Sequence, residues 1–428
     1  MSNTSTFTLI RDVNYRIFWM GQGLSWLGSV MQSVAQGWLV WSLTRSPAQL
    51  ALTAIMLSLP VLLFSMLGGV AADRFDKRAL LVITQGGSVV PALSLGILTA
   101  RGEITAPAVM FLAFCQGVLN AFEAPARQAL LAELVPRARL GQAVAFNAVS
   151  FNATRLVGPA AAGCIIAVFG AAPCFFINAL SFLVGILALF PVRLPYRSPD
   201  HPVRRRALPA AELREGLRFV GKRAEIRQLL LSVLLVSLLA IPFVPLLPVF
   251  AELFRAGPRG LGLMSACLGS GSLLAALWLA FSDRLPERQS GGAGAGMLFA
   301  LALLIFSRSA DYALSLAALF AAGGAAVVFL ARVNRSLQQA CPDHLRGRVM
   351  GVYTLTLLGM APLGSALVGG AAAKLGAPVA ISLTSVLCIA GLALLQLWAR
   401  LSRPAFPPAA PPSLWSGSLA GNGGARDW

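Results

Sequence analysis

Charged side chains are scarce in this sequence, and acidic side chains are the scarcest of them. Only 12% of the 428 residues are charged, and 16 Asp and Glu stand against 34 Lys and Arg, whereas a soluble domain has about 25% charged residues. Hydrophobic residues make up 57%, and the mean hydropathy is +0.75. These values exclude both a water-soluble globule and a disordered chain. They predict an all-α membrane protein that crosses the bilayer many times.

The residues that usually supply catalysis or metal binding are also few. The two histidines, His201 and His344, lie in predicted loops, and the six cysteines are scattered without a Cys-x-x-Cys pair. The sequence has no Gly-x-x-x-x-Gly-Lys-Ser/Thr loop for ATP and no His-Glu-x-x-His motif. We therefore predict no enzymatic activity, no metal site and no cofactor.

The hydrophobic residues are grouped into twelve stretches, each long enough to cross a membrane as a helix. The loops, tails and adjoining span ends on one side of the membrane carry 27 of the 34 Lys and Arg residues. Because basic residues concentrate in cytoplasmic loops, we predict an inner-membrane protein with both termini in the cytoplasm. The net charge of +18 then reflects membrane topology, and we predict no nucleic-acid partner. The predicted spans are 17–43, 49–72, 79–100, 106–129, 142–168, 173–192, 227–254, 260–281, 292–308, 311–331, 349–373 and 377–399.

A polar stretch in the middle of the chain divides the spans into two groups of six. We predict a first half at 1–192, a cytoplasmic linker at 193–226, a second half at 227–403, and a disordered tail at 404–428 that is rich in Pro, Gly and Ser. Within the linker, residues 209–224 have the apolar spacing of an amphipathic helix. This helix has two interpretations. It is either a site that binds a partner or membrane lipids, or a simple linker that lies on the membrane surface.

The two halves repeat one another in sequence. Six spans return the chain to the side on which it started, so both halves have the same orientation. Parallel repeats of six spans are typical of one transporter architecture, with its site between the halves. The matching positions are Asp73, Arg74 and Arg78 with Asp283, Arg284 and Arg288, 210 residues later, and Pro136, Gly141, Gly158 and Gly163 with Pro342, Gly347, Gly364 and Gly369, 206 residues later.

The segment after the second span carries a family motif. Residues 68–78 read GGVAADRFDKR, which resembles the loop motif of the major facilitator superfamily, although Asp76 replaces its second glycine. Residues 125–183 resemble the branch of that superfamily that contains the enterobactin exporter, macrolide efflux proteins and transmembrane secretion effectors. The resemblance implies twelve helices in the major facilitator fold, a monomer, and transport by alternating access.

The resemblance also implies a cytoplasmic gate. In the family this motif holds the halves together when the central cavity faces outward, and Gly69 would let two helices approach closely. A single cluster of this kind has a simpler interpretation as basic residues that set topology, but its second copy after span 8 favours the gate. The implied gate residues are Gly69, Asp73, Arg74, Lys77, Arg78, Asp283, Arg284 and Arg288.

Ionisable side chains within the predicted spans are candidates for function because their charge is costly in hydrocarbon. Glu123 is the only acidic residue that lies well inside a predicted span, and burial favours the protonated form of a carboxyl group. It is either a proton carrier or the ion-pair partner of Arg127, one helical turn later. Arg155 lies about 22 Å along the helix from Leu140, near the midplane of the membrane. It is either a substrate or coupling residue or a hydrogen-bond hub for backbone carbonyls.

Polar side chains at helical spacing in spans 1 and 4 predict a central cavity, since polar stripes within hydrocarbon must face protein or water. Hydrogen bonds between helices are the alternative explanation. The candidates for the substrate cavity are Gln32, Gln36, Gln116, Asn120, Asn147 and Tyr353. In span 5, Gly158, Pro159 and Gly163 resemble the antiporter motif of exporters, although a plain proline kink would have the same residues.

From these residues and this resemblance we predict a secondary transporter that exports a small amphipathic organic compound, drug-like or siderophore-like, in exchange for protons. The expected partners are the substrate, protons and membrane lipids. Uptake or facilitated transport of a small solute and the flipping of lysophospholipids are the alternatives. A membrane sensor that transports nothing is the least favoured. The cavity side chains are too generic to identify the substrate.

Overall fold

The computed structural model describes residues 8–196, 218–221, 223–281 and 292–401. The regular structure in these ranges is helical, without a strand. The helices of the first half are α1 (Thr8–Arg11), α2 (Val13–Thr44), α3 (Pro47–Arg74), α4 (Lys77–Ala100), α5 (Ala106–Leu134), α6 (Leu140–Phe169) and α7 (Ala172–Leu189). Those of the second half are α8 (Ala224–Leu239), α9 (Leu247–Leu253), α10 (Gly257–Phe281), α11 (Ala293–Arg308), α12 (Tyr312–Ala340), α13 (Asp343–Gly359), α14 (Ala361–Leu375) and α15 (Ala377–Leu401).

Three predicted features lie outside the described residues. The first is the second copy of the gate motif, with Asp283, Arg284 and Arg288. The second is most of the amphipathic helix predicted at 209–224, of which the short segment 218–221 is described and is helical. The third is the tail predicted at 404–428.

Ten helical segments in the described part of the chain are long and apolar enough to cross a membrane. Helix α2 is not one of them, because polar side chains, among them Gln22, Gln32 and Gln36, follow its buried face. Helix α11 has 16 residues and is too short. The chain is therefore a multi-pass helical bundle. The count of twelve spans, which adds α2 and α11, stays a prediction.

Prolines interrupt two of the predicted spans. The span at 227–254 consists of α8, a 3-10 helix at Ile241–Leu246 and α9. Proline lacks the N–H that a continuous helix needs, and the prolines of the 3-10 segment account for the interruption. The span predicted as one helix at 349–373 is divided at Met360 into α13 and α14, a break that its apolar pattern does not reveal. Pro159, in contrast, lies inside the continuous helix α6.

Short connections define the two ends of the bundle. Helices joined by so few residues run antiparallel, so successive spans cross between the ends. The basic end carries the connections at 75–76, 135–139, 190–196 and 341–342, and the opposite end carries those at 45–46, 101–105, 170–171, 254–256, 309–311 and 376. The orientation that would put the basic end in the cytoplasm stays a prediction.

The two halves contact each other closely at the opposite end. Glu252, near the end of α9, accepts hydrogen bonds from the guanidinium of Arg45 and from the indole of Trp41. Gly369 of α14 packs directly against Ala51 of α3. This end of the bundle is therefore closed both by an ion pair and by helix packing. Sequence reasoning does not single out Glu252, because it lies at the margin of an apolar span.

Arg45 and Arg255 occupy equivalent places in the two halves. Each follows the helix that completes the first span of its half, and each has a left-handed backbone, with φ angles of 50° and 54°. They are 210 residues apart, the same offset that relates the two Asp-Arg motifs. Because this conformation is uncommon for residues other than glycine, its occurrence at both places supports the internal repeat.

Helices α6 and α10 bring the backbones of the two halves together. A Cβ atom on Gly262 would lie 2.5 Å from the carbonyl oxygen of Pro159, and one on Gly163 would lie 2.7 Å from that of Pro258. Real Cβ atoms essentially never come within 3.0 Å of another atom. Gly158 packs against α2 in a similar way. The glycines of the antiporter-like motif thus serve close packing, one of them across the interface between the halves.

We expect Gly262→Ala to lower the stability of the bundle by about 1–3 kcal/mol, because the added methyl group must push α10 away from α6. The measurement is the thermal unfolding midpoint of the purified protein in detergent. Gly141→Ala is the matched control, since a Cβ at this position of α6 meets no atom within 4 Å and alanine favours a helix. An equal loss in both variants would contradict the role of close packing.

Candidate functional site

Glu123 lies at the centre of a buried hydrogen-bond network that joins three helices. It is on α5, with 5% of its surface exposed. Its Oε1 forms an ion pair with Arg127 and accepts a hydrogen bond from Gln85 Nε2 of α4 at 3.2 Å. Gln85 Nε2 also donates to Gln22 Oε1 of α2 at 2.9 Å. The carboxylate is therefore held by partners from two helices and linked to a third.

The ion pair determines what a proton on Glu123 would do. Residues four apart lie on one face of a helix, so the spacing of Glu123 and Arg127 brings their charges together. The pair, which the sequence left as the alternative to a proton carrier, is present. Protonation would neutralise the carboxylate and leave a buried cation without its partner, which is costly. A proton on Glu123 would therefore have to be accompanied by a movement of Arg127.

Arg127 also begins a row of cationic and aromatic side chains. Its guanidinium carbon lies 4.8 Å from the centre of the Trp26 ring. Trp26 packs edge-on against Phe151 at 5.6 Å between ring centres, and the guanidinium of Arg155 lies 5.9 Å from the centre of Phe151. We name Arg127, Trp26, Phe151 and Arg155 the cation–aromatic row. It runs from α5 over α2 to α6 and connects the two predicted coupling residues through ring contacts.

Arg155 lies near the middle of α6 and is half-buried. Within the described ranges it forms no ion pair. A cation at this depth requires water, a polar surface or an anion near it. Its backbone carbonyl faces Gly269 of α10, where a Cβ atom would collide with it. The residue therefore belongs to the region where the two halves meet.

The predicted cavity residues of spans 1 and 4 make hydrogen bonds within the first half. Gln32 accepts a hydrogen bond from Asn178 Nδ2 of α7 at 2.8 Å. Gln116 Nε2 donates to a serine of α4 and to Asn120 Oδ1, both at 3.0 Å. Gln36 is buried, and its amide nitrogen has no partner among the residues that the structure describes. These bonds connect helices to one another, and a role in a substrate cavity stays a prediction.

The other two cavity candidates lie on opposite halves. Asn147 is half-buried on α6. Tyr353 is on α13 and is buried. Tyr353 also forms part of the wall of a cavity of about 730 Å³ between α12 and α13 at the basic end. The structure thus places one predicted substrate residue at the wall of an open cavity.

The gate residues on α4 make contacts at the basic end of the first half. Lys77 Nζ lies 2.8 Å from Oε1 of Glu133 on α5. Arg78 donates a hydrogen bond to a backbone carbonyl just after α7, and Asp76 caps α4 by accepting a hydrogen bond from the backbone N–H of Ala79 at 2.8 Å. These contacts tie α4 to its neighbours within one half. Gating between the halves stays a prediction.

The close helix approach that the sequence assigns to Gly69 is made by its neighbour. A Cβ atom on Gly69 would meet no atom within 4 Å, whereas one on Gly68 would collide with the backbone of Ala121 on α5. The expectation for Gly69 is therefore wrong in this respect, because the helical rotation of α3 turns Gly68 towards α5. Asp73 and Arg74 follow on the last turn of α3 and are exposed.

Sequence reasoning misses two members of these networks. Gln85 is hydrogen-bonded to Glu123, and the signal available for it was a short polar stripe, with Thr84 and Ser88, in the third span. Phe151 lies one helical turn before Arg155, so an aromatic ring four residues from a cation within a span was the signal there. Both residues became recognisable only through their neighbours on other helices.

We expect Arg127→Leu to destabilise the protein more than the loss of both charges does. The single change leaves the carboxylate of Glu123 buried without its cation, and breaking a buried pair costs about 3–5 kcal/mol. The double variant Glu123→Leu/Arg127→Leu should recover much of this loss. Thermal unfolding midpoints of the four proteins form a double-mutant cycle. Additive losses would contradict a stabilising ion pair.

Known proteins resemble this chain over most of its length. The family model described as transmembrane secretion effector matches residues 4–408. The chain is 27% identical to the staphyloferrin A transporter of Staphylococcus aureus, over 82% of this chain and 88% of that protein. It is 30% identical to the multidrug efflux pump Tap of Mycolicibacterium fortuitum, over 80% of this chain and 85% of the pump.

The fold is also found among solved structures. A bacterial homologue of the human lysosomal transporter Spinster, in an inward-facing and unoccupied conformation, matches with a TM-score of 0.70. The match covers 92% of this chain and 98% of that one, and at 14% sequence identity it shows the fold alone. These relatives are transporters and not enzymes. The resemblance seen in the sequence is thereby confirmed, and the chain belongs to the transmembrane secretion effector family of the major facilitator superfamily.

Proposed function

We propose that this protein is a secondary transporter that exports a small amphipathic organic compound by alternating access, in exchange for protons. The observation that carries the proposal is the buried Glu123–Arg127 pair, which is linked through the cation–aromatic row to Arg155. It offers a titratable carboxylate inside the bundle, connected to the region where the halves meet. The relatives' names, a siderophore transporter and a multidrug efflux pump, support this class of compound.

The proposal includes twelve spans in the cytoplasmic membrane, with the basic end facing the cytoplasm. The distribution of Lys and Arg supports this orientation, since 27 of the 34 belong to that side. Substrate would then enter from the basic end. Its release on the other side requires the contacts at the opposite end to separate, namely the hydrogen bonds of Glu252 and the packing of α6 against α10.

The ion pair provides a way to couple the two movements. With Glu123 deprotonated, its carboxylate accepts a hydrogen bond from Gln85 and thereby joins α5 to α4, while Arg127 pairs with it from the same helix. The substrate is loaded in this state. After release, a proton from outside binds Glu123 and breaks its pair with Arg127. Arg127 retains the Trp26 ring as a partner, and the changed contact between the helices lets the empty carrier return. The proton is then released into the cytoplasm and the pair forms again.

We expect addition of a transported compound to produce a proton flux in proteoliposomes, recorded by a pH-sensitive dye inside the vesicles. The panel comprises siderophores, macrolides, dyes and lysolipids, each with and without an imposed proton gradient. Glu123→Gln should abolish the proton flux, because its side chain cannot bind and release a proton. Glu103→Gln is the matched control, since Glu103 is exposed at the opposite end, and it should behave like the unmodified protein.

The same measurements separate the alternatives. Compound exchange without a gradient should survive in Glu123→Gln, which shows that the variant is folded. An undiminished proton flux in this variant would remove Glu123 from coupling. Compounds that equilibrate without any proton flux would contradict proton exchange and indicate a facilitator. A panel without movement of any compound would contradict transport and favour the sensor.

A further inference from the structure

We propose that the cavity between α12 and α13 binds an amphipathic organic anion, such as a carboxylate or sulfonate on an apolar body. The proposal rests on the proposed function, because it names the class of substrate that would enter at the basic end. The cavity has a volume of about 730 Å³, within the range of sites for small molecules. Its wall is built from the last turns of α12 and the first turns of α13.

The wall of the cavity changes from apolar to polar along α12. Val327, Leu330 and Ala331 form its deeper part, and the next turns towards the basic end contribute Arg335 and Gln339. From Val327 to Gln339 the helix rises by about 18 Å, which is longer than a naphthalene ring system. A ligand with an apolar body and a polar head would therefore lie with its body inside and its head towards the basic end.

The polar part of the wall is cationic and contains no acidic residue among those that the structure describes. It consists of Asn334, Arg335, Gln338, Gln339, Arg346 and Tyr353. Guanidinium groups bind carboxylates and sulfonates through paired, charge-assisted hydrogen bonds. Side-chain amides add neutral donors. A cationic ligand would meet the exposed guanidinium of Arg335 at the mouth of the cavity, so the site selects against cations.

Part of this polar wall is already held in place. Tyr353 is buried on α13, and Asn334 of α12 accepts a hydrogen bond from the side-chain amide of Gln338, one turn later. Arg335 and Gln339 are exposed and can turn towards an arriving ligand. The site thus combines a fixed inner surface with movable cationic and amide groups at its mouth.

The experiment compares three probes that share one ring system and differ in charge, 1-naphthoate, 1-naphthamide and 1-naphthylmethylammonium. Radiolabelled probes are equilibrated with the full-length protein in nanodiscs of phosphatidylcholine, and binding to empty nanodiscs is subtracted. We expect the anion to bind at least about tenfold more tightly than the other two, because only it pairs with the guanidinium groups. Equal binding of the three probes would overturn the proposal.

Two variants connect the binding to this cavity. Arg335→Gln and Arg346→Gln should each weaken naphthoate binding about tenfold and leave naphthamide binding unchanged. Arg332→Gln is the matched control, because Arg332 lies one turn earlier on α12 and is not part of the cavity wall. It removes the same charge and should leave naphthoate binding intact. A loss in Arg332→Gln as large as in the other variants would indicate general attraction and overturn the site.

Nanodiscs that also contain phosphatidylglycerol distinguish a soluble anion from a lipid headgroup. Unchanged naphthoate affinity in these discs supports a site for soluble anions. Competition by the lipid would assign the cavity to anionic headgroups and overturn its role as a substrate site.

Flux measurements on the same proteins separate this inference from the proposed function. Charge-selective binding without flux of any compound would contradict transport and keep the site. Flux of an anionic compound that is unaffected by Arg335→Gln and Arg346→Gln would overturn the role of the cavity and leave transport standing. Loss of that flux in both variants, with normal flux in Arg332→Gln, is the expected result.

Discussion

The cost of leaving a polar group without a partner in hydrocarbon is the constraint on which the rest of this structure depends. Backbone N–H and C=O groups satisfy this constraint by hydrogen-bonding to one another within helices, and the regular structure of the described residues is accordingly helical. Polar side chains satisfy it by pairing with one another. Glu123 pairs with Arg127 and Gln85, and Gln32 pairs with Asn178. Because Gln85 and Asn178 lie on different helices from their partners, the bonds that remove the cost also hold the first half together.

The contacts between the two halves are of a different kind. Within the first half, buried amides and the ion pair of Lys77 with Glu133 join the helices, whereas α6 and α10 meet through glycines whose backbones touch. The ion pair between the halves, Arg45 with Glu252, lies at the margin of the bundle and is partly exposed. Such contacts can separate without leaving charged groups buried. Alternating access requires halves that are each held together by buried polar contacts and that can separate from one another.

The shortage of acidic residues in the composition is also seen in the structure, where the proposed functional regions contain more cationic than acidic side chains. The one carboxylate in the network of the first half is neutralised by Arg127, while Arg155 has no acidic partner in the described part of the chain. The wall of the cavity between α12 and α13 is likewise cationic. The regions proposed for coupling and substrate binding therefore carry a positive surplus, and this surplus is the physical basis for proposing an anionic substrate.

The sequence by itself determined the helical bundle and the superfamily, and it offered the pairing of Glu123 with Arg127 as one of two interpretations. All of these depend on residues close together in the chain or on the spacing of apolar side chains. Only the tertiary structure revealed that Gln85 holds Glu123, that Phe151 and Trp26 connect Arg127 with Arg155, and that Gly68 rather than Gly69 faces α5. Each of these arrangements depends on how separate helices pack against one another, and helical periodicity defines the faces of a helix but not which neighbour each face meets.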